Sequence, residues 1–377
     1  MFQLLKFELY KIYKQKSIYI LFILLIAIVS SGGFVDRQNE RAIYQDYQKF
    51  EGKITKEKMA ELEIVRDEVN EKFDNGEEVT SEEHTLYGIS ELFSFRIARM
   101  QEREHEIAGL ASEINNATSS YKMKKTALKK DMLASIDSSQ LYYQKGPAIM
   151  IDMIYTFGFV ITAFMTIIGI GPIFSKEYSS GMDQFLLSSK FGRSKLVTAK
   201  ILASLLFILS IVSAWSLYSF AKAYYLFGMH GWKSSLQSLY EFIESPYSYN
   251  LMKTFFAMMT IHIIAALAFG LITVFISSLS KKVMVSILAS GMIFGIPLVF
   301  DTLLDYGGTT KIMVEQILNL SIYRFMKVKE LFSGFYTYNI FGTPILHPIV
   351  AVVVSVGLGG LAWYMTKWVM KRRQVSI

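Results

Sequence analysis

Residues 254–304 read TFFAMMTIHIIAALAFGLITVFISSL, then Ser280-Lys281-Lys282, then VMVSILASGMIFGIPLVFDTLL. Each apolar run exceeds the roughly 20 residues that a helix needs to cross a hydrocarbon core about 30 Å thick. With three residues between them, the two runs form a tight hairpin of membrane helices. Working outward, four more stretches are long and apolar enough, at 17–35, 148–172, 196–228 and 348–370. Together with 254–279 and 283–304 they make six spans.

The composition agrees. The chain has 377 residues, 52% hydrophobic and 19% charged, below the roughly 25% charge of ordinary soluble domains. Mean hydropathy is +0.33. A soluble enzyme and a disordered chain are both excluded. There is no cysteine, so there is no disulfide, thiolate metal site or cysteine nucleophile.

Lysine and arginine in the short loops set orientation. Lys6, Lys11, Lys14, Lys16, Lys176, Lys190, Arg193, Lys195, Lys200, Lys281, Lys282, Lys367, Lys371, Arg372 and Arg373 all fall on one side. The opposite short loops are sparser in basic residues, so both termini and the tail 371–377 are expected to be cytoplasmic. A signal peptide at 17–35 is disfavoured by its long flank and by Ser30-Ser31-Gly32, a poor cleavage site.

This topology places residues 36–147 outside the cell. The segment carries 17 Lys/Arg against 22 Asp/Glu, a net −5, and the +7 of the whole chain leaves +12 for the remainder. Leu86, Ile89, Phe93, Met100, Ile107, Leu110 and Ile114 fit a heptad seam, which Arg96 and Arg103 break. Met59, Leu62, Val69 and Phe73 form a shorter seam before it, and Asn75-Gly76 between them is a turn signal. Ser81 with Glu82 and Glu83 marks a helix start. The spacing predicts an antiparallel, coiled-coil-like helical hairpin followed by a third helix around 121–135. Such an arm is either a plain solvated stalk or a recognition element. The fold class is therefore an all-α membrane protein with six transmembrane helices, an N-terminal interfacial helix over 1–16 and an extracellular helical insertion. In the interfacial helix Phe2, Leu5, Leu9 and Ile12 share one face, suited to the headgroups of membrane lipids.

Catalytic constellations are missing. There is no Gly-x-x-x-x-Gly-Lys-Ser/Thr nucleotide loop, so ATP, if used, binds another chain. His105-Glu106 would need a second histidine at position 109, which is Gly109. No metal site, catalytic residue or nucleic-acid motif emerges. Asp152, His262 and Asp301 are the polar candidates for a pathway within the spans, where ionisable groups face protein or water. For Asp152 and Asp301, as for Lys222, an interfacial position near the outer helix ends also serves, and for His262 a neutral bond to a neighbouring helix.

The segment 173–195 between the second and third spans is unusually apolar for a connection. Pro172 is expected to stop the second span, and Glu177 lies one turn into a short helix, where a carboxylate is favourable. Gly181 leaves room for close contact, and Phe185, Leu186 and Leu187 offer a small apolar surface. These features indicate a docking helix for a partner.

The run Phe174…Glu177…Gly181…Leu186-Leu187-Ser188…Arg193…Lys200, set in this topology, resembles the loop signature of ABC-2-type transporter permeases. Ser189-Lys190 departs from it where many members have proline. The resemblance covers most of the chain outside 36–147 and implies a permease subunit of an ABC exporter, with no cofactor of its own. ATP and Mg would be held by a pair of cytoplasmic ATPase subunits, and the permease would pair with itself or a sister permease. Phe174, Glu177, Gly181, Phe185, Leu186 and Leu187 would form the ATPase-docking coupling helix, with Glu177 as its acidic contact. The second and fifth spans would line the path at the dimer interface, and 305–347 would hold an extracellular, partly re-entrant segment. The large insertion at this place resembles that of members that export sodium, antimicrobial peptides or amphipathic peptides, so the expected substrate is an amphipathic or antimicrobial peptide, a lipid-like compound or an ion. The excess of lysine over arginine, with abundant Ile, Tyr and Phe, fits the plasma membrane of a low-GC Gram-positive bacterium. The alternative is a membrane receptor or scaffold with an external helical sensor arm. The short intracellular segments leave no room for an output module of its own.

Overall fold

A computed structural model describes residues 1–31, 35–189, 191–302 and 308–373. The ends expected for the first and fifth spans, and residues 374–377 of the tail, lie outside the described residues. The described residues are mostly helical, 78%, in line with the all-α class. Among the described residues, five helices are long and apolar enough to cross a membrane, or six if the bent pair α1 (Phe2–Tyr13) and α2 (Lys16–Ser30) is one span. The 58° bend falls at Lys14 and Gln15.

The insertion begins with α3 (Arg37–Phe50), which the heptad reading did not anticipate. It follows Asp36, whose carboxylate caps the Gln38 N–H at 2.9 Å. Next come β1 (Gly52–Lys53), α4 (Lys56–Asn75), α5 (Ser81–Asn115) and α6 (Ser120–Ala134). Gly76 ends α4 at φ 69°, a left-handed cap that favours glycine. Thr80, rather than Ser81, caps α5, in a reciprocal box with Glu83. The Lys72 ammonium at 2.6 Å, with the Thr80 backbone, holds the Glu83 carboxyl down at about 2. α4 and α5 pack as the expected hairpin around Leu62, Ile89 and Phe93. The two arginines that interrupt the seam hold the returning chain. Arg96 donates to the Gln140 carbonyl and Arg103 to the Ser138 hydroxyl, which fixes β2 (Gln140–Leu141) antiparallel to β1. Burial pushes Arg96 down to about 10.

The second span is a single long helix, Lys145–Ser179, assembled from three parts. α7 (Lys145–Met153) runs into a π turn at Ile154–Gly158, then α8 (Phe159–Ile170) and α9 (Pro172–Ser179). Pro172 therefore does not stop the span. It removes one backbone donor, and the groups loosened around it find other partners, described below. After α10 (Asp183–Ser188), the helices α11 (Lys195–Phe227), α12 (Leu251–Leu279) and α13 (Val283–Thr302) complete three more spans. The segment 308–346 holds α14 (Gly308–Leu318), α15 (Ile322–Lys327), α16 (Lys329–Ser333) and an antiparallel hairpin of β3 (Thr337–Ile340) and β4 (Thr343–Leu346). That hairpin departs from the all-helical expectation. Its turn has Phe341 at φ 49° and Gly342 at φ 77°, the paired positive values that suit a two-residue hairpin. α17 (His347–Arg372) is the last span and packs along α12.

Because the spans alternate in direction, the two ends of the bundle differ. One end gathers α1, α9, α10, the 280–282 turn and the end of α17. The arm sits at the other, joined through Arg99–Glu244 (2.5 Å), Tyr44–His230 (3.0 Å) and Tyr121–Thr337 (3.2 Å). Gly146 lies where α7 crosses the end of α11, and a Cβ there would stand 2.1 Å from the Gly228 carbonyl oxygen. Gly146→Ala must push the two backbones apart and is expected to cost about 1–3 kcal/mol, read as a lower thermal midpoint. Gly109→Ala, in open space on α5, is expected to leave the midpoint unchanged or raise it.

Candidate functional site

α1 carries Glu8 on the same face as Leu5 and Ile12. It is the only acidic residue before Asp36, and it is 2% exposed. An isolated buried carboxylate is costly, so it needs a cation. Lys200, in the second turn of α11 and fully buried, supplies it at 2.9 Å. The Lys200 ammonium also donates to Glu177 at 2.7 Å and to the Ile173 carbonyl at 3.0 Å. Three donors thus meet three acceptors. Lys11 closes the circuit, 3.0 Å from Glu8 and 2.6 Å from Glu177. Two carboxylates and two ammonium groups make a neutral cluster that joins α1, α9 and α11.

Aromatic packing roofs the cluster. Lys200 lies over the Phe174 ring, its Nζ 5.3 Å from the centroid, and Phe174 stacks on Tyr178. The Tyr178 hydroxyl donates to the Met370 sulfur at 3.2 Å. Arg373 covers the Tyr178 ring and donates to the Ser278 carbonyl, so the end of α17 clasps α9 to α12.

A second polar knot replaces the hydrogen bonding that Pro172 disrupts. The Ser277 hydroxyl on α12 accepts from the Phe174 and Ser175 N–H groups at 3.0 and 3.2 Å and donates to the Gly171 carbonyl at 2.6 Å. Ser286 on α13 donates to the same carbonyl at 2.8 Å. The base of α9 is therefore pinned to both arms of the 254–304 hairpin.

The residues singled out in the 173–195 segment divide into two sets. Phe174 and Glu177 are buried, and Glu177 is not a free acidic contact because both lysines engage it. Gly181, at φ 70°, and Phe185, 74% exposed, face outward with Met182. The side chains of Leu186 and Leu187, and Lys190, lie outside the described residues.

Asp152, His262 and Asp301 do not converge. Asp152 is exposed on α7 and accepts the Thr156 hydroxyl at 2.8 Å. His262 is fully buried and sits 2.7 Å from the Met326 carbonyl and 3.2 Å from the Thr162 hydroxyl, which also accepts the Trp215 N–H. Asp301 binds Tyr323, Arg324 and Lys327 of α15, and Glu330 accepts from both cations. That cluster ties α13 to the buried α15. Glu8, Ser277, Ser286 and the Arg324–Glu330 pair were missed by sequence reasoning. Only Glu8 had a visible signal, as a lone acid in an apolar stripe. Among the described residues no three His, Asp or Glu side chains are grouped to hold a metal.

Residues 2–350 match the family described as ABC-2 family transporter protein. The chain belongs to that family. No curated protein and no solved structure matches it. It is accordingly an ABC transporter permease and a multi-pass membrane protein. Such permeases are transport subunits that generally lack an ATPase site and work with an ABC ATPase. In this permease, Lys200→Met would leave Glu8 and Glu177 sharing only Lys11. It is expected to cost about 3–5 kcal/mol, as loss of one partner from a buried pair does. Replacing Glu8 and Glu177 by Gln in the same chain should restore most of the thermal midpoint measured in detergent.

Proposed function

We propose that this permease is the membrane subunit of an ABC exporter and that α9, Gly181 and α10 form its coupling segment. The observation that carries this reading is the Glu8–Lys200–Glu177–Lys11 cluster. It couples a short exposed apolar surface rigidly to α1 and α11, while Ser277 and Ser286 couple it to α12 and α13. An ATPase pressing on Met182 and Phe185 would thereby move four helices together. Glu177 is then a positioning residue and Phe185 a contact residue.

The charge distribution supports a cytoplasmic position for this end. The arm is then extracellular, and both termini are cytoplasmic. ATP and Mg reside in the partner ATPase pair. An apolar groove of about 510 Å³ between α8 and α13, lined by Phe164, Ile168, Leu288, Met292 and Ile296, supports pairing with a second permease there. α13 is the least buried of the five long spans, as a helix awaiting a partner would be. Amphipathic peptides, lipid-like compounds and ions are the candidate substrates, and an apolar path of this kind suits the first two.

Phe185→Asp is expected to abolish co-purification of the ATPase subunit from native membranes while leaving the thermal midpoint of the permease unchanged. Full retention of the ATPase would remove the docking assignment. Glu177→Arg, which places a third cation beside Lys11 and Lys200, is expected to lose both ATPase binding and thermal stability.

A further inference from the structure

A cavity lies far from the coupling segment, where the arm meets the bundle. Its volume is about 690 Å³, within the roughly 300–1,000 Å³ of ligand sites. One wall is the middle of α5, a second is α6, and the third comes from the connections 235–245 and 334–336 at the arm end of the spans. A ligand here would touch the arm and the bundle at once.

The cavity is lined by more cations than its own carboxylates neutralise. Arg99 pairs with Glu102 and Glu244, and Lys129 pairs with Glu106. Arg96, Arg103, Lys122 and Lys125 also line it, and none forms an ion pair among the described residues; Glu113 is the further carboxylate of the lining, and Glu104 and Asp137 lie near enough to Arg103 to act on its charge, so cations still outnumber carboxylates in the lining. Arg96 is 6% exposed, and two of its nitrogens, Nε and Nη2, have no hydrogen-bond partner among the described residues. A buried, half-satisfied guanidinium is a costly arrangement without a ligand or water.

An acceptor is also unmet. The Gln237 side chain donates through Nε2 to the Ser245 and Tyr247 carbonyls at 2.8 and 2.9 Å, which fixes the amide orientation. Its Oε1 is buried and has no partner among the described residues. A phosphodiester by itself offers only acceptors and cannot satisfy it, whereas every residue of a peptide carries a backbone N–H donor beside any carboxylate acceptors. Phe95, Leu110 and Tyr336 add apolar surface beside these groups.

We propose that this cavity binds an acidic peptide segment with apolar flanking side chains. Its carboxylates meet Arg96, Arg103, Lys122 and Lys125, and a backbone N–H reaches Gln237. The site belongs to the permease chain itself, and binding there requires neither ATP nor the ATPase. It goes beyond the exporter reading and stands or falls separately from it.

The full chain in nanodiscs of zwitterionic lipid is titrated against a fluorescent hexapeptide of alternating Leu and Glu. Saturable binding is expected, at least tenfold weaker in the Arg103→Gln, Lys125→Gln double variant. The same peptide with Gln in place of Glu should also bind at least tenfold more weakly. Lys122→Gln with Lys125→Gln repeats the test without altering the Arg103 contact to Ser138. Lys124→Gln, an exposed site outside the cavity, should bind as the unmodified protein does. Absence of saturable binding would overturn the proposal. So would binding unmoved by both double variants, an equal loss in Lys124→Gln, or displacement by short-chain phosphatidylglycerol, which would make the site one for lipid headgroups.

Discussion

The Lys200 ammonium has no exposed surface and three acceptors, two of them carboxylates from different helices. Much of the basic end depends on this arrangement. A buried cation can remain charged only if its partners stay within hydrogen-bond reach. Glu8 on α1 and Glu177 on α9 therefore cannot drift independently of α11. A purely apolar contact of similar area would tolerate sliding, because the hydrophobic effect has no preferred direction. The ion cluster does not, since a displacement of a few ångströms would strand a charge. Mechanical linkage between α9 and the helices α1 and α11 follows from electrostatics as much as from packing.

The second span uses the opposite device. Its helical ladder is interrupted twice, by the π turn at Ile154–Gly158 and at Pro172. Both interruptions are met by groups from neighbouring helices. Beside the π turn, Gly158 lets Trp215 approach so closely that a Cβ would stand 2.7 Å from the indole, and Thr162 bonds Trp215 and the Gly158 carbonyl. At Pro172, Ser277 and Ser286 serve the Gly171 carbonyl. In an apolar surrounding an unmet backbone group costs several kcal/mol, so these hydroxyls fix where the span can bend and which helices follow it.

The arm repeats the same logic in water. Arg96 and Arg103 spoil an otherwise regular apolar seam, and each is turned inward to hold the chain returning from α6 to the membrane. The lining of the cavity beside them combines an excess of cations with a buried acceptor, Gln237 Oε1, that has no partner among the described residues.

The membrane architecture was legible in the sequence because length and hydropathy of a span are local properties. Runs of apolar residues, the Ser280-Lys281-Lys282 break and the Asn75-Gly76 turn needed no tertiary information. The apolar character of the 173–195 segment was legible for the same reason, since an apolar stretch at a charged end is visible in one dimension. The role of Glu177 was not. Whether a carboxylate faces a partner or a buried lysine depends on Glu8 and Lys200, far away in the chain, being brought to the same point. The fate of Pro172 likewise rested on hydroxyls more than a hundred residues away. α3 escaped notice although Ile43, Tyr47 and Phe50 fall at helical spacing, and β3–β4 did because a short hairpin is stabilised by its neighbours. Sequence alone determined which runs are long and apolar enough to cross a membrane. Tertiary structure alone decided which charges neutralise one another, because pairing in a low-dielectric interior is set by distance in space.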